Sequence, residues 1–275
     1  MPRMASSTEL FLRAIIGRAY PRIVGANREL SWLVTESVLP LLGLAAYVFI
    51  YKAMNAPPVF VSYVVLGGAM TAYWLNVLWS MAAQWYWEKE TANLQLCIMA
   101  PASPMAILLG MGIGGLFTTT IRATVVILVG SLIFGVTYQV SNLWLVVLVF
   151  FLAMVALYGV GMMLASLFLL SGREAWNLSN MLQEPVYLVS GFYFPVRSLG
   201  VWGAAAASVI PLTLGLDAMR QLLFMADPTL GFLAPWVECL ILLALCPVFL
   251  WLAKVFLAKM ERLARIEGRL TLRWQ

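Results

Sequence analysis

Long apolar runs, separated by short polar segments, are the main pattern along the chain. Because a bilayer core about 30 Å thick takes roughly 20 helical residues to cross, these runs predict about six membrane-spanning helices. They lie near residues 31–52, 58–82, 105–136, 143–170, 175–196 and 232–256. The apolar residues form runs and do not alternate with polar ones, which favours helices over a membrane β-barrel. The pattern therefore predicts an all-α integral membrane protein.

The segment before the first predicted span has a helical pattern of its own. Its apolar residues recur at helical spacing: Phe11, Leu12, Ile15, Ile16, Ala19 and Tyr20. Glu9 and Arg13 are spaced as an i,i+4 ion pair on another face, and Pro21 is expected to end or bend the helix. An arginine-bearing amphipathic helix of this kind suits the cytoplasmic interface of a membrane. A cytoplasmic helix packed on protein would show the same pattern.

The composition supports a lipid environment. Hydrophobic residues make up 63% of the 275 residues and charged residues 11%, against roughly 45–50% and about 25% in soluble domains. We therefore expect one membrane domain over residues 1–275. An amphipathic helix occupies 1–29, the spans lie within 30–256, and a cytoplasmic tail occupies 257–275.

The basic residues predict the orientation of the chain. With an even number of spans most lysines and arginines fall on one side, so the positive-inside rule places both termini in the cytoplasm. The expected location is the cell membrane, crossed several times. The net charge of +5 comes from residues that flank the spans, and it gives no indication of a nucleic-acid partner.

Several kinds of chemistry are excluded by residues that the sequence lacks. It contains no histidine, which removes the commonest metal ligand and general base. It contains no Gly-Lys dipeptide, so a phosphate-binding P-loop is absent. The three cysteines are isolated and show no metal-ligand spacing. We therefore expect no catalytic residue, cofactor site or metal site in this chain; if ATP drives it, another subunit hydrolyses the ATP.

The fifth predicted span is broken near one face of the bilayer. The break begins at Gly191 and continues with an aromatic group: Phe192, Tyr193, Phe194 and Pro195. A short Ala-rich stretch then leads to Pro211, Thr213 and Arg220. Non-helical backbone at membrane depth is tolerated only where protein or water surrounds it. The aromatic group is a candidate gate for the outer mouth of a pathway, although rings at an interface also serve as anchors.

The second predicted loop is a candidate docking element. It begins with three charged residues, Glu88, Lys89 and Glu90, directly after an aromatic girdle. A short helical run follows, before Pro101 and Pro104 frame a turn into the third span. A short acidic helix held between two membrane helices is suited to docking a partner.

Arg122 is predicted to lie near the middle of the third span. Placing an arginine there costs about 2.5–3.5 kcal/mol on insertion scales, so its side chain should face protein or a cavity. By estimated depth its first-choice counter-ion is Glu184, and its second is Glu36. The pair is either a polar patch on a transport path or a structural salt bridge.

The broken fifth span and the acidic loop together resemble ABC-2 type permeases, the membrane subunits of a class of ATP-driven exporters. In the loop the matching residues are Glu88, Glu90, Leu94, Leu96, Pro101 and Gly110, while Ala92 departs from the usual glycine. The resemblance implies that this loop is a coupling helix that docks on the ATPase through Glu88, Lys89, Glu90, Asn93 and Leu94. It also implies a re-entrant helical hairpin before the last span. Pro211–Thr213 would lie at its end, and Asp217–Arg220 in the external segment that follows.

The function implied by the resemblance is that of a non-catalytic exporter subunit. Two copies of the chain would pair with two ATPase subunits, which bind ATP and Mg. The few intramembrane charges favour a hydrophobic or amphipathic cargo, such as a drug or lipid. Two other classes stay open: an ATP-independent channel or secondary transporter, and an intramembrane enzyme using Glu174, Glu184 or Arg122.

Overall fold

The computed structural model describes residues 7–28, 30–91, 93–100, 103–171, 174–224 and 229–266. These residues are helical almost throughout and contain no strand. The α-helices are α1 (Ser7–Arg28), α2 (Leu30–Ala53), α3 (Val59–Leu75), α4 (Gln84–Glu90), α5 (Leu94–Met99), α6 (Pro104–Phe134), α7 (Leu143–Ser171), α8 (Glu174–Val189), α9 (Gly200–Ala207), α10 (Pro211–Phe224) and α11 (Pro235–Ile266). A π-helix (Asn76–Ala82) joins α3 to α4, and a 3₁₀ turn (Val196–Leu199) precedes α9.

Among the residues that the structure describes, five helical stretches are long and apolar enough to cross a bilayer. They are Val34–Ala53, Val59–Glu90, Pro104–Phe134, Leu143–Phe168 and Pro235–Leu263. The all-α membrane fold is therefore confirmed. The stretch predicted as a fifth span of six, 175–196, contains the shorter helix α8, which ends at Val189 because Gly191 adopts a left-handed φ of 69°. The count of six spans stays a prediction.

The long helices α3, α6 and α7 alternate in direction through the bundle. Gly130 and Gly115 of α6 lie against Val65 and Asn76 respectively, so α6 runs antiparallel to α3. α7 runs parallel to α3, because Gly161 lies against Val77 deep in the bundle while the start of α7 lies at the other end.

α11 runs parallel to α7. The Cys246 thiol donates a hydrogen bond to the carbonyl of Leu152 at 3.3 Å, and Gly159 lies against Phe249 further along both helices. α11 therefore ends at the same end of the bundle as α7, where Phe168 packs with Ala82 and Ala83 beside α4.

The core of the bundle is centred on α3 and its π-helical continuation. Tyr63, Val77, Leu78 and Met81 are all buried there. Neighbouring helices cover this stretch on both sides, so most of its side chains are buried. The helix that the hydropathy pattern predicts as a span is thus an internal one.

α1 packs against the first half of α6 through two glycines spaced four residues apart. A Cβ added at Gly110 would lie 2.6 Å from the carbonyl oxygen of Ile15, and one at Gly114 would lie 3.1 Å from that of Ala19. Small residues at this spacing let two helix backbones approach closely. Pro21 lies inside α1 and does not end it, contrary to one of the two sequence expectations.

The apolar residues of α1 divide between two faces. Ala19 is buried, whereas Leu12, Ile16 and Tyr20 form an exposed stripe at i, i+4 and i+8. One face of the helix thus packs on protein and the other presents apolar side chains outward. The position of α1 at a membrane interface stays a prediction.

Replacing Gly110 by alanine should loosen the α1–α6 contact. The added methyl group meets main-chain atoms that cannot rotate away, and overpacking of this kind costs about 1–3 kcal/mol. We expect Gly110→Ala to lower the thermal unfolding midpoint of the purified protein, followed by tryptophan fluorescence in one detergent. The control is Gly17→Ala in α1, where no atom lies within 4 Å of the added Cβ and alanine favours the helix. Equal midpoints for the two variants would contradict this packing.

Candidate functional site

The break after α8 is built from a left-handed glycine and a proline. Gly191 has a φ of 69°, which reverses the chain, and Pro195 starts the 3₁₀ turn that leads into α9. The intervening carbonyl groups no longer have helical donors. Because unpaired carbonyls are costly away from water, another part of the chain must supply N–H groups to them.

Arg220 supplies these donors. Its Nη1 donates to the carbonyls of Gly191 at 2.6 Å and Phe194 at 3.0 Å, and its Nη2 donates to those of Phe192 at 2.6 Å and Tyr63 at 2.9 Å. The guanidinium also lies 4.7 Å from the centre of the Tyr63 ring. Only 1% of the residue is exposed. The planar fork of arginine suits this task, because one side chain reaches carbonyls on two separate segments.

Gly67 lets the broken segment approach α3. A Cβ at this position would overlap the Phe192 carbonyl oxygen and lie 3.0 Å from Nη2 of Arg220. Any residue with a side chain would therefore displace either the loop or the guanidinium. Gly67, the loop at 191–195 and Arg220 form one unit, which we call the arginine clamp.

The structure places the three predicted gate rings differently. Phe192 is buried in the core, and Phe194 is partly buried. Tyr193 stacks on Tyr47 of α2 with 4.0 Å between ring centres, and its carbonyl accepts a hydrogen bond from Tyr51 at 2.9 Å. Tyr193 is thus the ring that joins the broken segment to α2.

The other residues of the predicted re-entrant region lie inside the protein. Pro211 and Thr213 begin α10 and are buried, and Gly215 packs against Ala153 midway along α7. Asp217 and Arg220 are buried in α10, where Arg220 reaches the carbonyls freed by the break. The assignment of Asp217–Arg220 to an external segment stays a prediction. The re-entrant hairpin itself stays a prediction.

A cavity of about 510 Å³ lies between α2, α3 with its π-helix, α6 and α8. Tyr193 lines it, so the arginine clamp adjoins this space. Its other lining residues are Glu36, Leu39, Pro40, Gly43, Thr71, Ala72, Leu75, Asn76, Trp79, Ser80, Thr119, Arg122 and Tyr187. Apolar, aromatic and charged side chains thus surround one continuous space, which we call the α2–α8 cavity.

An ion pair between Arg122 and Glu36 lies in the wall of this cavity. The first-choice partner predicted for Arg122 was therefore wrong. Glu184 is exposed on α8 and accepts a hydrogen bond from the Gln183 side chain at 3.4 Å. α2 packs directly on α6, whereas the carboxylate of Glu184 points outward, so Glu36 is the acid within reach.

The π-helix adds polar groups whose partners are distant in the sequence and were not predicted. Asn76 accepts a hydrogen bond from the Tyr158 hydroxyl at 3.0 Å, and Ser80 accepts from Arg22 of α1 through both its hydroxyl and its carbonyl. Burial lowers the pKa of Arg22, and the nearby Arg18 and Arg122 lower it further, against an opposing contribution from Tyr158. Single π-helical turns often mark functional positions in helices. Here the turn connects α1 to the wall of the α2–α8 cavity.

The predicted coupling residues also divide into two groups. Glu88 is buried, pairs with Arg18 of α1, and accepts a hydrogen bond from Gln84 at 2.8 Å; Leu94 is buried as well. Lys89 is partly exposed, and Glu90 and Asn93 are exposed. Glu88 and Leu94 therefore face the protein and are not placed for docking.

Two exposed apolar residues within this loop were not among the predicted docking residues. Leu96 is 67% exposed and Met99 is 80% exposed, both on α5. Their spacing of three positions on a short helix, which places them about one turn apart, is the signal that could have found them. Together with Glu90 and Asn93 they form the outward face of the loop, which we call the α5 face.

Glu238 was also missed. It lies in the first turn of α11 and is fully buried, with Asp217 and the main chain at Leu233 as polar neighbours. Asp217 accepts hydrogen bonds from the Phe232 amide at 2.8 Å and from Gln221 at 3.0 Å. An ionisable residue inside an apolar run is itself a sequence signal of a buried site. Within the described part of the chain, no cluster of three or more His, Cys, Asp or Glu side chains is placed to hold a metal ion.

Arg220→Lys should open the arginine clamp. Lysine offers one nitrogen and cannot reach all four carbonyls, and each buried group left without a partner costs about 1–3 kcal/mol. We expect a marked fall in the thermal unfolding midpoint and faster cleavage near residues 191–200 by a protease. The matched control is Arg197→Lys, since the exposed Arg197 donates one hydrogen bond, to Gly231 at 3.2 Å. Similar behaviour of both variants would remove the special role assigned to Arg220.

Glu88→Gln and Glu90→Gln should separate an internal anchor from a surface residue. Glu88→Gln breaks an ion pair whose acid is buried, so we expect a loss of about 1–3 kcal/mol of stability. Glu90→Gln should change stability by less than about 0.5 kcal/mol. The contribution of the pair is measured by a double-mutant cycle of Arg18→Gln and Glu88→Gln, in which additive effects would show that the two side chains do not interact.

The family of the chain follows from a comparison with known protein families. The family model described as ABC-2 type transporter matches residues 23–224. This range runs from α1 to the end of α10, and it includes the acidic loop, the α2–α8 cavity and the arginine clamp. No curated protein matches the chain. The chain therefore belongs to the ABC-2 type transporter family, as a membrane-spanning permease.

Proposed function

We propose that this chain is the membrane subunit of an ATP-driven exporter. Two copies would pair with two ATPase subunits, which bind ATP and Mg and supply the energy. Membership of the family supports an ATPase partner in general. The observation that carries the proposal for this chain is the α5 face, an exposed apolar surface on a short helix between two membrane-spanning helices.

The α5 face is connected to the membrane helices by an ion pair, a hydrogen bond and helix packing. α4, next to α5, is joined to α1 by the Glu88–Arg18 ion pair, and α1 packs on α6 at Gly110. α1 also reaches the π-helix through Arg22 and Ser80. A force on the α5 face is thus transmitted to two walls of the α2–α8 cavity. For ATP to drive transport, the ATP-bound ATPase must bind one membrane conformation better than the other.

The proposed orientation places the α5 face and both termini in the cytoplasm. α1 contacts α4, and α11 ends beside the same end of the bundle. The α5 face and α1, which the ATPase would contact, would then both lie on the cytoplasmic side of the membrane. The arginine clamp lies at the opposite end, where the cargo would leave the cell membrane.

The α2–α8 cavity is the proposed site for the cargo within each subunit. Its walls combine apolar residues such as Leu39 and Leu75 with an ion pair and three aromatic rings. These walls support an amphipathic cargo, since a purely hydrophobic one would leave the charged groups without polar contacts. Tyr193 at the clamp would separate the cavity from the exit.

Substitution of the α5 face should weaken ATPase binding without unfolding the permease. We expect the double variant Leu96→Ser/Met99→Ser to lose at least about a hundredfold in affinity, because two large apolar contacts of about 1.5–3 kcal/mol each are removed. The measurement is pull-down of the chain from its native host in mild detergent, with mass spectrometry of the co-purified P-loop ATPase and its stoichiometry.

The matched control is Ile266→Ser, at the end of α11. Ile266 is 72% exposed, close to the values of Leu96 and Met99, but lies on another helix. It should leave the amount of ATPase unchanged. A chain that purifies alone and conducts or transports in liposomes without ATP would overturn the exporter proposal in favour of a channel or secondary transporter.

A further inference from the structure

The Arg122–Glu36 ion pair is open to the α2–α8 cavity on one side. The side chain of Arg122 is 19% exposed and that of Glu36 is 34% exposed, and both line the cavity. Nη1 of Arg122 contacts Oε2 of Glu36. This single contact uses a small part of the five N–H donors of a guanidinium and of the acceptor positions of a carboxylate. Both ions can therefore meet a ligand.

The pairing of opposite charges restricts which ligand fits. An anionic headgroup would draw Arg122 away from Glu36 and leave a carboxylate unpaired in a partly dehydrated space. A cationic headgroup would pair with Glu36 and leave the guanidinium of Arg122 unpaired in the same space. Charges left unpaired away from water are costly. A headgroup that carries one charge of each sign compensates both ions at once.

The remaining walls complete a site for an amphiphile. Trp79, Tyr187 and Tyr193 provide aromatic faces, which attract quaternary ammonium groups. Leu39, Pro40 and Leu75 provide apolar surface. Leu39 is itself mostly exposed on the membrane-spanning part of α2, so the cavity reaches the outer surface of this helix. A lipid headgroup can enter by this side while its acyl chains stay in the bilayer.

We propose that the α2–α8 cavity binds a zwitterionic amphiphile, with its phosphate or other anionic group on Arg122 and its ammonium group on Glu36. The assignment of this amphiphile as cargo rests on the proposed exporter function, whereas its binding to the cavity does not. The headgroup exchanges the internal ion pair for two intermolecular ones. This exchange leaves no charge uncompensated in either the empty or the loaded state.

The test is native mass spectrometry of the purified chain with three lipids that share dioleoyl chains. They are phosphatidylcholine, which is zwitterionic, phosphatidylglycerol, which is anionic, and diacylglycerol, which is uncharged. We expect phosphatidylcholine to bind about tenfold more tightly than phosphatidylglycerol, as expected for one additional ion-pair contact, and more tightly still than diacylglycerol, which lacks both charged groups. Equal affinity for the three lipids would overturn the proposal.

Variants assign the two charges separately. Glu36→Gln should remove the preference for phosphatidylcholine over phosphatidylglycerol. Arg122→Gln should weaken binding of both phospholipids, and phosphatidylcholine should still bind more tightly than phosphatidylglycerol because Glu36 can still contact its ammonium group. The exchange variant Glu36→Arg/Arg122→Glu keeps an ion pair and should keep the preference. Binding by this variant would show that substitution at these two positions does not by itself unfold the site. Arg13→Gln, which breaks the exposed Glu9–Arg13 pair on α1, is the matched control. Behaviour of the Glu36 and Arg122 variants like that of the control would overturn the site.

A second arm tests whether the bound amphiphile is cargo. Phosphatidylcholine should raise the rate of ATP hydrolysis by the reconstituted complex with wild-type chain and not with Arg122→Gln. Selective binding without this stimulation would refute the cargo assignment. Absence of any ATPase in the pull-down would instead count against the exporter proposal, while the binding measurements on the isolated chain would still stand.

Discussion

The arrangement of this permease depends on how broken backbone is satisfied inside an apolar protein. The break at Gly191 frees carbonyl groups where water is excluded, and Arg220 provides donors to three of them and to Tyr63 of α3. The clamp in turn requires Gly67, since a side chain there would occupy the place of the Phe192 carbonyl. The position of Tyr193 against Tyr47, and with it one boundary of the α2–α8 cavity, follows from this set of hydrogen bonds.

Hydropathy and helical period allowed the membrane class and the long helices to be predicted from the sequence. The family was predicted from the resemblance of the broken span and the acidic loop to ABC-2 type permeases. Span lengths are set by the bilayer, so they leave a direct trace in the length of each apolar run. α8 departs from its predicted length because one glycine ends it, and a window of average hydropathy extends across such a position. The π-helix at Asn76–Ala82 left no trace of this kind, since its residues read as a continuous helix.

The residues of the site were harder to predict, because their partners are distant in sequence. Depth along the membrane normal placed Glu184 and Glu36 both within range of Arg122, and only lateral packing of α2 on α6 distinguishes them. Glu88 lies in a charged run that is typical of an exposed loop, yet Arg18, seventy positions earlier in the chain, pairs with it and accounts for its burial. The sequence placed Arg220 in the broken region but did not predict that its side chain is buried there. The reason is that the carbonyls to which it donates are brought together only by the fold.

The two ends of the α2–α8 cavity are held by contacts of different kinds, and this difference favours one direction of control. At the clamp, the three hydrogen bonds that the buried guanidinium of Arg220 donates to the loop would have to break together for the loop to move. At the α1 end, Arg18 is one third exposed, so water can replace its contact with Glu88 as it opens. Contacts that water can replace cost less to exchange than buried ones. Under the exporter proposal, energy therefore enters where the α5 face and α1 meet, and the clamp yields only after the cavity has changed shape.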